Sequence, residues 1–88
     1  VLDRTAIAWI NYPHNPTGAC VDRAYLRAQA ALAAAHGIIL ASDECYQDLW
    51  FDGCEPPPSL LQEATANVLV FHSCSKRSGL TGYRTGFI

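Results

Sequence analysis

The 88 residues predict an α/β fold built on a mostly parallel sheet, and three observations carry that expectation. Three short apolar runs, Thr5 to Ile10, Ile38 to Ala41 and Val68 to Phe71, have the length and β-branched content of buried strands. An alanine-rich segment with helical spacing separates the first two, and a shorter helix-forming stretch precedes the third. Strands alternating with helices in this order require parallel pairing through right-handed crossovers.

The first run, TAIAWI, stops at Asn11, where the loop YPHNPTG breaks regular structure through its prolines and glycine. Asp22 suits a helix N-cap, and Tyr25, Leu26, Ala30, Leu32 and Ala33 recur at helical spacing as far as His36. Gly37 is placed to end that helix in the left-handed conformation. The second strand, Ile38 to Ala41, is closed by the polar Ser42, Asp43 and Glu44. YQDLWFDG then turns at Asp52 and Gly53, and the three prolines of CEPPPS hold the next stretch extended. Ser59 to Ala66 forms a short helix, and Val68 to Phe71 leads into HSCSKRSGLTGYRTG. Trp9 and Trp50 are assigned to packing, and no repeat or internal domain boundary is visible.

A formal net charge of -2 with 16% charged residues supplies no basic face for nucleic acid, so a small-molecule partner is expected. No apolar stretch approaches the roughly 20 residues of a membrane span. Cys20, Cys45, Cys54 and Cys74 form no CxxC pair and no metal-ligand spacing with His14, His36 or His72. No metal is therefore expected, and the cysteines read as reduced, buried thiols of a cytoplasmic protein. The start at Val1 without Met and the apolar close at Gly86 to Ile88 read as parts of a longer polypeptide.

The chemistry-bearing residues each follow a strand. In open α/β sheets ligands bind beyond the carboxyl ends of the strands, so Asn15, Asp43 with Tyr46, and Ser73 to Lys76 are expected to converge on one crevice. A lysine in such a crevice forms Schiff bases once desolvation or a neighbouring cation lowers its pKa, which is the chemistry open to Lys76. Ser73, Ser75 and Arg84 offer hydroxyls and a guanidinium fork suited to a phosphate. Asp43, at the end of a buried strand, requires a cation or several donors beside it. Tyr46 offers a phenol, and the proline-stiffened loop presents the Asn15 amide. Taken singly, each has a plainer reading: a solvated Lys76, a capping Asp43, a core Tyr46, a turn at Asn15 and a surface ion pair at Arg84.

Together, NYPHNPTG, SDECY and SCSKRSGLTGYRTG resemble the three signature segments of fold-type I, class I/II aminotransferases, which depend on pyridoxal 5'-phosphate (PLP). The segments stand in that family's order and span nearly the whole chain. The resemblance implies that residues 1–88 are a central part of the large, PLP-binding domain. It matches Lys76 to the lysine that carries the cofactor as a Schiff base and then moves a proton as general acid and base. It matches Asp43 to the acid that pairs with the pyridine nitrogen, and Tyr46 and Asn15 to the contacts of the ring oxygen. Ser73, Ser75 and Arg84 match the phosphate contacts. The catalytic set so implied is Lys76, Asp43 and Tyr46.

The implied activity is amino-group transfer between an amino acid and a 2-oxo acid, by a cytoplasmic homodimer of amino acid biosynthesis with no nucleic-acid or membrane partner. HSCSKRSGLTGYRTGF is similar to the corresponding run in diaminopimelate-pathway aminotransferases. Carbon-sulfur lyases and aminocyclopropane carboxylate synthases share the lysine and the aspartate and are the alternative. A PLP-domain transcription regulator is a further one, against which the intact NPTG argues. Without the phosphate loop and the partner subunit, the 88 residues alone are expected to show no turnover and little PLP affinity.

Overall fold

The computed structural model describes all 88 residues, Val1–Ile88. Strand β1 (Ile7–Asn11) leads through the proline loop into helix α1 (Arg23–Ala35) and strand β2 (Ile39–Asp43). A long connection then reaches β3 (Val68–Ser73), the one-turn helix α2 (Cys74–Arg77) and the two-residue strand β4 (Gly86–Phe87). Short 3-10 turns lie at Leu2–Arg4, Leu60–Gln62 and Thr81–Tyr83. The sheet runs in the order β1-β2-β3-β4, with β1, β2 and β3 parallel and β4 antiparallel to β3. Its register sets Asn11 beside Asp43, and Asp43 beside Phe71.

Helix α1 starts where the sequence places it, because the Asp22 side chain accepts from Tyr25 N at 2.7 Å and so satisfies an orphan N–H of the first turn. It ends in a Schellman motif: Ile38 N donates to Ala33 O at 2.9 Å and Gly37 N to Ala34 O at 3.2 Å, with Gly37 at a φ of 65°. The buried stripe is Leu26, Ala30 and Ala33, at helical spacing. It packs with Ile38, Leu40, Leu60 and Val70 into the core. Burying each leucine there stabilises the fold by about 1.5–3 kcal/mol.

Side chains alternate across a strand, so only one face of the sheet meets α1. On the other face Ile7, Trp9, Ile39 and Leu69 remain substantially exposed, with Trp9 against Phe71 at a ring separation of 5.0 Å. No helix is long and apolar enough to cross a membrane.

Several expectations are corrected. Ser59 to Ala66 is not a helix throughout: only Leu60–Gln62 turns, held by a capping box in which Ser59 and Gln62 satisfy each other's backbone. Beyond it Glu63 is drawn to α1, where Arg23 and Arg27 grip its buried carboxylate, the latter with Nη2 at 2.8 Å. Strands β2 and β3 continue past their apolar runs into Ser42 and Asp43, and into His72 and Ser73, because neighbouring strands supply the ladder partners. Trp9 packs on Phe71 at the sheet surface rather than in the core, and it and Trp50 are 62% and 47% exposed. Cys20 and Cys54 are exposed thiols rather than buried ones.

Candidate functional site

The carboxyl ends of β1, β2 and β3 open into a cleft of about 480 Å³. Asn15 enters it from the first loop, Asp43 and Tyr46 from the end of β2, and Ser73, Ser75, Lys76 and Arg84 from around α2. All seven residues singled out from the sequence therefore line one space, although they span 70 positions of chain from Asn15 to Arg84. Asn11, Cys45 and Thr81 line it as well.

The β1 and β2 side is tied together by side-chain amides. Asn11 Nδ2 donates to Asp43 O at 3.2 Å, while Asn11 Oδ1 accepts from Asn15 N at 3.0 Å. Asn15 Nδ2 in turn donates to the Tyr46 hydroxyl at 3.3 Å. The proline bonds of this loop, Tyr12–Pro13 and Asn15–Pro16, are both cis. Asp43 Oδ1 accepts from Cys45 N at 3.1 Å. Burial first, and then the Asp43 carboxylate beside it, pushes the Cys45 thiol up to about 11. Cys45 is thus a neutral thiol at neutral pH and brings no second negative charge to Asp43.

On the α2 side, Ser73 caps the helix by accepting from Ser75 N at 3.1 Å, which leaves its own hydroxyl proton free to donate. Thr81 Oγ1 donates to Ser75 O at 3.2 Å and fixes the following turn against the helix. Arg84 takes the left-handed conformation, φ 50°, and spends one N–H on Thr81 O at 3.3 Å, leaving most of its fork open. The Lys76 amine is exposed and engages no carboxylate or carbonyl of the chain. An apolar groove of about 420 Å³, lined by Leu49, Trp50, Phe51 and Pro57, adjoins the cleft across Asn15 and Tyr46. Trp50 lines this groove.

The three residues that sequence reasoning missed support the others. Asn11 was visible only as the end of an apolar run; its role depends on lying in register with Asp43. Cys45 stood inside SDECY as an ordinary thiol, and Thr81 inside a loop.

The family model for aminotransferase class I and II matches residues 2–88. The chain belongs to that family. This aminotransferase-family chain is 35% identical over 88 residues to LL-diaminopimelate aminotransferase 2 of Trichormus variabilis, covering 99% of the chain and 23% of the relative. It is 38% identical over 88 residues to arginine–pyruvate transaminase AruH of Pseudomonas aeruginosa, covering 100% of the chain and 22% of the relative. Among solved structures, aminotransferase AspB of Helicobacter pylori superposes with a TM-score of 0.87 at 41% identity, over 97% of this chain and 24% of that one. The aminotransferase-family chain thus spans less than a quarter of the length of these relatives. Members of the family depend in general on PLP.

Proposed function

We propose that this chain is the central part of a PLP-dependent aminotransferase that moves an amino group between an amino acid and a 2-oxo acid. The observation that carries the reading is the convergence of Asn15, Asp43, Tyr46, Ser73, Ser75, Lys76 and Arg84 on one cleft. Their donor chemistry fits the cofactor group by group. The hydroxyls of Ser73 and Ser75 and the open fork of Arg84 suit a phosphate. Asp43 suits a protonated ring nitrogen, and the Tyr46 phenol, oriented by Asn15, suits a ring oxygen. An amine without a partner in the chain, that of Lys76, suits an aldehyde.

When bound, PLP supplies an aldehyde and an electron-withdrawing ring that stabilises negative charge at the substrate α-carbon. Asp43 would hold the proton on the ring nitrogen, and the neutral Cys45 leaves that carboxylate as the sole charge of its kind in the cleft. Tyr46 would donate to the ring oxygen. Lys76 would hold the cofactor through its amine, and that amine, when free, would carry a proton to or from the substrate α-carbon.

On this reading the full polypeptide acts as a cytoplasmic homodimer, and the donors in the names of its relatives, LL-diaminopimelate and arginine, are the first to test. The test is absorption of the full polypeptide mixed with PLP, then borohydride reduction and peptide mass mapping. A visible band with the reduced adduct on Lys76, lost in Lys76→Ala, is the expected result; a folded protein with neither band nor adduct overturns the reading. Transfer of the amino group from a donor to a 2-oxo acid separates the aminotransferase from a lyase.

A further inference from the structure

Lys76 sits on a helix of only four residues, Cys74–Arg77. Nucleating a single turn is unfavourable, so the helix is held by its anchors. Most are local: the Ser73 cap, Cys74 N donating to Thr85 O at 3.0 Å, and Thr81 Oγ1 donating to Ser75 O. One reaches elsewhere. Arg77 Nε lies 2.9 Å from Asp48 Oδ2, and Asp48 stands in the turn after β2, two residues beyond Tyr46. The ion pair therefore joins the neighbour of Lys76 to the turn that carries Tyr46.

Arg77 is held from its other side too. Its guanidinium carbon lies 5.5 Å from the Phe87 ring centroid, and Phe87 stacks on His72 at 4.9 Å. His72 Nε2 lies 4.0 Å from the buried Glu44 carboxylate, whose Oε1 accepts from Leu60 N at 2.8 Å. The guanidinium is thus seated on a stack that ends in the core.

We propose that the Asp48–Arg77 ion pair is a positioning device for the cleft, setting the separation between the Tyr46 phenol and the Lys76 amine. The proposal rests on the cofactor reading above. Side chains 41% and 48% exposed give a pair that shifts the folding equilibrium by no more than about fivefold. Its removal leaves the fold and alters the site, since a small misplacement of a reacting group costs up to about a hundredfold in rate.

The experiment is a double-mutant cycle in the full polypeptide with Asp48→Ala, Arg77→Ala and the two combined. Its readouts are the pH midpoint of the visible PLP band, kcat and KM separately, and the melting temperature. Each single substitution is expected to lower kcat about tenfold with KM little changed. It also raises the band midpoint, because a displaced Tyr46 no longer donates to the ring oxygen and no longer favours its anionic form. The melting temperature stays within about 3 °C, and the double variant is no worse than either single one. Singles that leave the band and kcat unchanged, or effects that multiply in the double variant, overturn the proposal. An unsubstituted protein without a visible band overturns the cofactor reading itself.

Discussion

Asn15 Nδ2 donates to the Tyr46 hydroxyl at 3.3 Å across 31 residues of sequence, joining the first loop to the turn after β2. Asn11 makes the meeting possible, since it spans from Asp43 O to Asn15 N and holds the loop over the strand end.

Replacing Asn11 by Ala removes both hydrogen bonds of this bracket. At a net 0.5–1.5 kcal/mol each, the loss of stability is about 1–3 kcal/mol. Urea unfolding of the full polypeptide measures it, and the affinity for PLP falls with it as Asn15 and Tyr46 lose their alignment.

Two glycines respond differently to a methyl group. At Gly86 an added Cβ would stand 2.5 Å from the His72 carbonyl oxygen, so β4 must move away from β3. At Gly37 nothing lies within 4 Å, and the cost is that of a φ of 65° alone. Gly37→Ala is expected to destabilise by about 1 kcal/mol. Gly86→Ala is expected to cost about 1–3 kcal/mol and also to weaken PLP binding, because β4 anchors the segment between Arg84 and Ser73. Melting and cofactor titration of the two variants separate these effects.

Glu63 makes the fold sensitive to acid. The hydrogen bond from Arg23, opposed by burial and reinforced by Arg27, holds its carboxyl below the 4.5 of an unconstrained glutamate. The unfolded chain therefore binds a proton that the folded chain does not, so this contribution is complete above pH 4.5 and is lost as pH falls through the lower, folded value. Glu63→Gln is expected to flatten stability against pH below 4.5, as followed by melting across that range.

Cys45 is expected to resist alkylation. With its pKa pushed from 9.0 to about 11, only about one part in ten thousand is thiolate at pH 7. In a protein whose other cysteines are replaced, the alkylation rate should rise with a midpoint near 11, and Asp43→Asn should lower that midpoint by removing the adjacent negative charge.

The parallel core was legible because its signals are local: apolar runs for β1, β2 and β3, the Asp22 cap and the Gly37 stop for α1. Strand β4 was not, because Gly86 and Phe87 become a strand only through Ser73 and His72 opposite them. Helix α2 is likewise tied to Thr85 and Asp48, which its own four residues do not announce. The cleft was legible at the seven residues singled out from the sequence, all of which line it. It was not at Asn11, whose value comes from lying beside Asp43 across two strands, a relation of register rather than of motif.

The alternation of β2 gives the two adjacent carboxylates opposite fates. Asp43 faces the cleft, whereas Glu44 points under the sheet toward Leu60 and His72. Deleting one residue from β2 would swap their faces, turning the longer acid into the cleft and the shorter one toward the core face of the sheet. Deleting two would preserve the parity. A one-residue change of length in this strand therefore moves its acid out of the cleft, whereas a two-residue change keeps the acid on the cleft face.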